Sequence, residues 1–192
     1  MKYFTELTLL PSLEIPLHFI WQKLYQQIHL VLAENKIAEN SSKVGVSFPE
    51  YNADEFLLGT KLRLFAADEQ TLRALQCEKW LERLRDYVHV NGIKPVPENV
   101  TEYACFRHIK MKGSKEKLAR RRAKRKKETI QQALAYFADY KEPQSKLPYI
   151  NMVSQTNGQH FRLFIEKQSV AQPQSGYFSC YGLSHTVTVP LF

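Results

Sequence analysis

The sequence predicts an α+β protein with two regions. Hydrophobic residues alternate with a period of two in several segments and recur at helical spacing in others, which predicts both strands and helices. Two prolines near residue 95 separate the first half from the second, and the positive charge is concentrated in one short segment of the second half. With 192 residues, of which 44% are hydrophobic, the chain is long enough to bury a core.

The first region opens with a predicted strand and a predicted helix. Residues 2–10 place side chains alternately on two faces, favour extended structure and stop at Pro11. Pro16 stands where a helix can begin. The apolar residues after it recur at helical spacing: Leu17, Ile20, Leu24, Ile28 and Val31. This pattern predicts an amphipathic helix that ends in the polar stretch 35–43.

Three further strands and one helix complete the first region. Strands are predicted over 44–48, 60–66 and 87–90, and Asp68 can cap a second helix that runs to about residue 84. The order of elements is that of the ferredoxin-like split unit, which predicts a ferredoxin-like domain over residues 1–93. RNA-binding modules and unrelated enzymes share this fold, so the fold decides no function.

The second region, residues 94–192, is predicted to be a smaller α+β domain. It starts with the linker-like segment KPVPENVTE, followed by extended chain over 103–112 and a helix over about 114–138. Short strands are predicted after the helix, over 149–154, 160–167, 177–182 and 187–191. The helix therefore stands between an extended segment and a set of short strands.

Composition argues against several classes of protein. The three cysteines, Cys77, Cys105 and Cys180, lie far apart without CxxC spacing, so we expect neither structural zinc nor a disulfide framework, and no cofactor. No apolar run is long enough to span a membrane, and Glu6 interrupts the apolar start that a signal peptide would need. We therefore expect a cytoplasmic protein without a membrane partner.

The charge is distributed very unevenly. Residues 115–127, KEKLARRRAKRKK, hold nine Lys or Arg and one Glu, and this excess equals the entire formal net charge of +8. The rest of the chain is electrically neutral. A basic segment on an otherwise neutral body is the pattern expected of an element that binds a polyanion.

The basic segment favours a helix without an apolar stripe, because Leu118, Ala119 and Ala123 are its only uncharged residues. Such a helix must be solvated or neutralised by a ligand. Thirteen residues span roughly 20 Å, which is comparable to a groove of a nucleic-acid duplex. A solvent-facing helix or a disordered basic tract is the alternative. A membrane surface is a weaker one, because the other helix face lacks large apolar residues.

Three segments carry a resemblance to a known family. They read VGVSFPEY at 44–51, SQTNGQHFRLFIEK at 154–167 and GYFSCYGLS at 176–184. Together with the opening strand and helix, the basic helix and the final Pro-x-Phe, they resemble the CRISPR RNA-processing endoribonuclease of subtype I-F systems. The resemblance extends over nearly the whole chain.

The resemblance implies an RNA-cutting function. It implies a metal-independent endoribonuclease that cleaves precursor CRISPR RNA at the base of the repeat stem. In such enzymes the 2′-hydroxyl of the RNA is the nucleophile, the product carries a 2′,3′-cyclic phosphate, and the enzyme stays bound to the product hairpin. The implied partners are the CRISPR repeat RNA hairpin and other subunits of a guide-RNA surveillance complex. The implied fold is a ferredoxin-like domain followed by a smaller one with an arginine-rich helix.

The resemblance also implies three catalytic residues. The family's catalytic histidine falls on His29, its active-site serine on Ser154, and the tyrosine that orients the histidine on Tyr181. On a helical wheel His29 lies about 140° from the centre of the apolar stripe, so it faces away from the core. Imidazole is well suited to proton transfer at neutral pH, so we expect His29 to be the general base, with a general-acid role as the alternative. Ser154 is expected to hold the attacking ribose.

The RNA-binding positions implied by the resemblance lie before, in and after the basic helix. They are Arg107, His108, Lys110, Lys112, Lys117, Arg120, Arg121, Lys124, Arg125, Thr156 and Phe161. Phe161 matches the aromatic residue that stacks on the terminal base pair of the stem. Relatives read bases with an Arg-x-Gln pair where this chain has His108 and Lys110. Either the hairpin recognised here differs near its base, or Arg107 does the reading.

Two other functions are compatible with parts of the sequence. The first is a non-catalytic protein that binds the hairpin without cutting it, and the joint presence of His29, Ser154 and Tyr181 argues against it. The second is a metal-dependent nuclease, which needs clustered acidic or histidine ligands. The sequence shows no HExxH or comparable spacing, so we expect no metal site.

Overall fold

A computed structural model describes residues 1–52, 56–111, 113–140 and 145–192. The described chain forms two compact units, one of residues 1–109 with 148–192 and one of residues 110–147. The boundary predicted between residues 93 and 94 lies inside the first of these units, and as a boundary between folding domains it stays a prediction. The predicted α+β class is confirmed, because both strands and helices are present and the sheets are antiparallel.

The N-terminal part of the first unit forms a five-stranded antiparallel sheet with helices. Its elements are β1 (Tyr3–Leu9), α1 (Leu17–Glu34), β2 (Gly45–Ser47), β3 (Lys61–Ala66), α2 (Glu69–Ala74), α3 (Cys77–Trp80), β4 (Val88–Val90) and β5 (Lys94–Pro95). The strand order is β2-β3-β1-β4, and β5 pairs with the start of β1. This order is consistent with the predicted ferredoxin-like unit. The segment predicted as a linker therefore begins with a short strand.

Helix α1 is held against the core by the apolar stripe that the sequence predicted. Ile20, Leu24, Ile28 and Val31 are each at most 2% exposed. The ring N–H of Trp21 donates a 2.8 Å hydrogen bond to the carbonyl of Gly59. Since that stripe fixes the rotation of α1 about its axis, it also fixes which residues lie on the opposite side. Among the described residues no helix is long and apolar enough to cross a membrane.

The second helix differs from its prediction. Asp68 caps it as expected, since its carboxylate accepts a 2.7 Å hydrogen bond from the Thr71 N–H. The helix does not run to residue 84, however, because Gln76 adopts a left-handed conformation with φ 47°. Two short helical turns, α3 and a 3₁₀ turn over Glu82–Leu84, follow instead. Gln76 is not a residue type that signals such a break.

The first unit also contains a second antiparallel sheet. Its strands are β6 (Glu102–Ile109), β7 (Tyr149–Val153), β8 (His160–Val170) and β9 (Val189–Leu191), in the order β7-β8-β6-β9. The strand predicted over 177–182 is wrong. That segment forms a tight turn instead, in which Gly182 has the left-handed φ of +70° and its N–H donates to the Ser179 carbonyl.

The second unit is a pair of helices, α4 (Lys115–Lys126) and α5 (Ile130–Tyr136). The single helix predicted over 114–138 is therefore interrupted. Lys127 ends α4 in a left-handed conformation with φ 54°, and Thr129 starts α5 with a capping box that Gln132 completes. The Thr-x-x-Gln signal for this second start is present in the sequence.

Candidate functional site

The imidazole of His29 is hydrogen-bonded to the backbone carbonyl of Cys180. His29 Nδ1 lies 3.0 Å from the Cys180 carbonyl oxygen. A carbonyl oxygen can only accept, so in this contact Nδ1 carries the proton and the neutral ring has its lone pair on Nε2. The ring nitrogen that is not tied to the backbone is therefore the one able to take a proton.

The ring of Tyr181 lies flat against the same imidazole. The two ring centroids are 4.0 Å apart and the planes differ by 3°, so the rings are stacked face to face. The Tyr25 hydroxyl, one helical turn before His29, donates a 2.8 Å hydrogen bond to the Tyr181 carbonyl. Two side chains of α1 thus bind two consecutive carbonyls of the same turn. In the sequence, the only signal for the role of Tyr25 is its i, i+4 spacing from His29.

Burial keeps both tyrosines of this cluster neutral. It raises the pKa of Tyr25 well above its usual value, with Tyr181 as a smaller cause. It also raises the pKa of Tyr181, to which Cys180 adds a smaller effect in the same direction. Burial likewise raises the pKa of the Cys180 thiol, which disfavours the thiolate form that a nucleophile needs.

The turn that carries Cys180 and Tyr181 depends on Gly182. A Cβ atom on Gly182 would lie 2.4 Å from Cγ1 of Val46, and the φ of +70° disfavours other residues. The Val46 N–H donates a 2.9 Å hydrogen bond to the Gly182 carbonyl, and the Ser179 N–H donates to Leu183 at 2.9 Å. The turn is therefore fixed to β2, and with it the two groups that hold His29.

Ser154 stands directly after β7, at the start of a closed turn. Its N–H donates to the Gln159 carbonyl at 2.9 Å and its carbonyl accepts from the Gly158 N–H at 2.8 Å. Thr156 is exposed within this turn. The preceding residue, Val153, is joined to α1, because its N–H donates a 3.1 Å hydrogen bond to the side-chain oxygen of Gln26. The structure thus brings the Ser154 strand end to the helix that carries His29.

His108 and Phe161 lie on the core-facing side of the second sheet. His108 is paired in register with Ile165, and Phe161 with Met152, two buried residues of that face. The His108 ring centroid is 6.3 Å from that of Tyr181, so the structure brings His108 to the edge of the His29 cluster. Both His108 and Phe161 are half-buried, which leaves part of each ring accessible.

Arg107 faces the other side of the same sheet, because successive residues of a strand point to opposite faces. Its Nε donates a 3.0 Å hydrogen bond to the Glu166 carboxylate, and a second guanidinium nitrogen contacts the same carboxylate. The two alternatives for base reading, His108 with Lys110 or Arg107, therefore start from opposite faces of β6. Lys110 is exposed just after β6, and Lys112 lies outside the described residues.

Helix α4 has two unlike faces. One packs on α5 and contains the two buried residues of the helix, Ala119 and Ala123, while Leu118 is half-buried. The absence of an apolar stripe that the sequence analysis inferred is thus wrong, since a narrow stripe of small residues meets Ala133, Leu134 and Phe137. On the helical wheel the opposite side carries four exposed basic residues: Lys117, Arg120, Arg121 and Lys124. Arg125 is exposed beside them.

Arg122 differs from its basic neighbours. Its Nε lies 2.6 Å from the Glu128 carboxylate, and its guanidinium centre is 3.6 Å from the centroid of the Tyr136 ring. Both partners belong to the same unit, so Arg122 joins α4 to the chain that follows it. The structure therefore gives Arg122 partners within its own unit.

The described residues contain no group of three or more His, Cys, Asp or Glu side chains that could hold a metal ion. The chemically active groups that the structure does bring together are the His29 imidazole, the Tyr181 ring and, through Val153, the Ser154 strand end. This arrangement offers one oriented base beside a polar turn.

A family model and two relatives identify one family for this chain. The family model described as CRISPR-associated protein (Cas_Csy4) matches residues 4–192. Two relatives, from Escherichia coli and Pseudomonas aeruginosa, are named "CRISPR-associated endonuclease Cas6/Csy4". Each is 33% identical to this chain over 193 residues, and the alignment covers 100% of both chains. A solved structure described as "An RAMP protein binding different RNA substrates" is similar with a TM-score of 0.42 and 12% identity, over 100% of both chains.

Proposed function

The chain belongs to the Cas_Csy4 family of CRISPR-associated proteins and is an endoribonuclease, and we propose that it cleaves precursor CRISPR RNA at the base of the repeat hairpin. The observation that carries this proposal is the His29 imidazole, tied through Nδ1 to the Cys180 carbonyl and stacked on Tyr181. The ring is held in one plane and one tautomer, with Nε2 left as a base. Such a group is what proton abstraction from a ribose hydroxyl needs.

The proposed reaction is attack by the RNA on its own backbone. His29 Nε2 takes the proton of the 2′-hydroxyl, the 2′-oxygen forms a bond to the adjacent phosphorus, and the bond to the 5′-oxygen breaks. The leaving 5′-oxygen takes a proton from water, the proton on His29 returns to the solvent, and the products are a 2′,3′-cyclic phosphate and a 5′-hydroxyl. The reaction needs no metal, because the RNA supplies the nucleophile. A histidine that instead protonates the leaving oxygen is the alternative role.

The imidazolium that forms in this reaction is compatible with the contacts of His29. Its Nδ1–H keeps the hydrogen bond to the Cys180 carbonyl, which strengthens when the donor carries charge. The stacked Tyr181 ring faces the imidazole, and a cation over an aromatic face is favoured. We assign to Tyr181 the orientation of His29, and to Ser154 the positioning of the attacking ribose by hydrogen bonding.

Binding of the hairpin is assigned to basic and aromatic residues. The exposed face of α4, with Lys117, Arg120, Arg121, Lys124 and Arg125, supplies positive charge for the phosphates. Phe161 supplies a partly exposed ring on which the terminal base pair of the stem can stack. Contacts near the base of the stem are assigned to His108, Lys110, Lys112 and Thr156. Arg107 is the alternative residue for recognition of the bases there. Retention of the product hairpin after cleavage is part of the proposal.

Two further assignments belong to this proposal. The first sheet and its helices are assigned to the ferredoxin-like fold, because their strand order and antiparallel pairing follow the βαββαβ pattern. The protein is proposed to act in the cytoplasm, with other subunits of a guide-RNA surveillance complex as partners.

The proposal is tested by cleavage of repeat RNA in excess chelator. Purified protein is incubated with candidate repeat RNAs and with a matched RNA that carries a 2′-deoxy nucleotide at the cut position, and the product ends are mapped. We expect a 2′,3′-cyclic phosphate at the base of the stem, and a deoxy RNA that is bound but not cut. Loss of activity in chelator with recovery on addition of Mg²⁺ contradicts the mechanism. Binding without any cleavage favours the non-catalytic alternative.

A further inference from the structure

Gln26 joins the helix of His29 to the strand of Ser154. It lies on α1 three residues before His29, and its side-chain oxygen accepts the 3.1 Å hydrogen bond from the Val153 N–H. The two bonded residues are 127 positions apart in the chain. On a helical wheel Gln26 and His29 are about 60° apart, so both face the same side of α1. This contact is therefore a direct tie between the two halves of the proposed site.

The hydrogen bond between Gln26 and Val153 lies on the side of β7 that has no neighbouring strand. β7 is at the edge of the second sheet, with β8 on one side. Backbone N–H groups on the free side of an edge strand have no ladder partner and must be satisfied otherwise. The Gln26 side-chain oxygen accepts the hydrogen bond of the Val153 N–H. Val153 is the last residue of β7, and Ser154 follows it directly. The position of the Ser154 backbone is thus set from α1 as well as from the turn that follows.

The other end of the Gln26 amide is not satisfied. Its Nε2 is buried, and among the described residues it has no hydrogen-bond partner. The orientation of the amide follows from the Val153 N–H, which needs an oxygen as acceptor. An apolar side chain of similar length would remove this unpaired donor and leave the Val153 N–H unpaired in its place, so we expect little net change in stability. Because the Gln26 contact leaves one buried donor unpaired, it points to a role other than stability.

We propose that Gln26 is a positioning residue for RNA cleavage, which acts by holding the strand end that carries Ser154 against the helix that carries His29. This inference rests on the proposed function. Gln26 is not proposed to contact the RNA or to transfer a proton. Its role is to set the distance between Ser154 and His29. Loss of that constraint lets the ribose-binding hydroxyl and the base drift apart, and small misplacements of this kind slow a reaction about 10- to 100-fold.

Two variants of Gln26 separate positioning from packing. Gln26→Glu keeps an oxygen that can accept from the Val153 N–H, whereas Gln26→Met keeps the length of the side chain and removes the acceptor. Positioning predicts that the single-turnover cleavage rate falls in the order parent, Glu variant, Met variant. Packing alone predicts the opposite order for the two variants, because Glu would bury a charge and Met would not.

Gln27 provides the matched control. It is the next residue of α1 and lines a different groove, of about 810 Å³, together with Lys23 and Trp80. The changes Gln27→Met and Gln27→Glu repeat the chemistry of the Gln26 variants without touching the Val153 tie. We expect both to cleave within about threefold of the parent rate.

The experiment combines cleavage, binding and amide hydrogen exchange. For Gln26→Met we expect a cleavage rate about 10- to 100-fold lower, affinity for a 2′-deoxy hairpin within about threefold of the parent, an unchanged thermal midpoint, and faster exchange of the Val153 amide. A parent-like cleavage rate, or equal loss in binding and in cleavage, overturns the inference. Equal exchange of the Val153 amide in parent and Met variant overturns it too, even if the parent cleaves no repeat RNA and the proposed function fails.

Discussion

The ring of Tyr181 lies flat on the imidazole of His29, with the centroids 4.0 Å apart and the planes 3° from parallel. The same tyrosine is anchored through its backbone, since its carbonyl accepts the hydrogen bond of the Tyr25 hydroxyl at 2.8 Å. A stacked ring restricts rotation of the imidazole about its side-chain bonds. We therefore expect the proposed orienting role of Tyr181 to depend on its ring and not on its hydroxyl group.

The ring contact predicts unequal effects of two substitutions at Tyr181. Tyr181→Phe keeps the ring and the stack, so we expect a cleavage rate within about threefold of the parent rate. Tyr181→Ala removes the ring, and we expect a fall of roughly 10- to 100-fold because the base is no longer held in one orientation. Single-turnover cleavage with saturating enzyme measures both. An equal loss in the two variants would assign the function to the hydroxyl.

Gly182 is predicted to be intolerant of a side chain. In Gly182→Ala the new Cβ meets Val46, and the φ of +70° adds backbone strain. We expect a loss of about 2 to 4 kcal/mol in the free energy of unfolding, together with slower cleavage, because the turn holds both groups that contact His29. Urea unfolding measures the first effect. Gly158→Ala is the control, since its φ is similar but no atom lies within 4 Å of the new Cβ.

The two kinds of arginine on α4 predict different consequences for RNA binding. Replacing Arg120, Arg121, Lys124 and Arg125 with Ala should flatten the dependence of log affinity on log salt, which we expect to be roughly −4 to −5 for six phosphate contacts. Arg122→Ala should leave that slope unchanged and lower the stability of the second unit by about 1 kcal/mol or more, because Arg122 is paired with Glu128.

The salt-slope prediction is checked by hairpin titrations at several salt concentrations, with thermal unfolding beside them. A slope that stays steep in the fourfold variant would place the phosphates elsewhere and leave the exposed face of α4 as a solvated surface. A flattened slope in Arg122→Ala would show that its ion pair opens when RNA binds.

Alkaline pH is predicted to destabilise the fold through Cys77. Burial raises the pKa of the Cys77 thiol to about 12. In the unfolded chain the thiol ionises at a lower pH, so the unfolded state binds fewer protons between its own pKa and about 12. Stability from this group is fully present below the unfolded pKa and is lost as pH rises toward the folded pKa. Urea midpoints at about pH 8 and about pH 10.5 should therefore differ less in Cys77→Ala than in the parent.

The elements that follow hydrophobic periodicity could be predicted from the sequence. The stripe from Leu17 to Val31 gave α1 and its rotation, and hence the placement of His29 off the core. The break at Gln76 could not be predicted, because Gln76 adopts positive φ without being glycine. Lys127 likewise gives no signal of its own, and only the Thr-x-x-Gln start of α5 indicates that a new helix begins there. The strand predicted over 177–182 was wrong, since a left-handed Gly182 turns the chain there.

The contacts of the candidate site depend on pairings between distant segments. Local periodicity does not show that β6 and β8 pair in the register that puts His108 near Tyr181, or that the edge of β7 meets α1 at Gln26. The family resemblance indicated His29, Ser154 and Tyr181 as separate positions in the sequence and did not show which of them are in contact. The backbone contact that fixes the tautomer of His29 is visible in the structure and not in the sequence.

The central claim is that His29 is the base of the cleavage reaction, and one substitution tests it most directly. His29 lies off the apolar stripe of α1, so His29→Ala opens no cavity in the core. General acid–base catalysis contributes roughly 10² to 10⁴ in rate. The measurement is single-turnover cleavage of repeat RNA with saturating His29→Ala protein, beside a binding titration on the 2′-deoxy hairpin. We predict cleavage slower by that factor with affinity within about threefold of the parent, whereas cleavage at the parental rate would contradict the assignment.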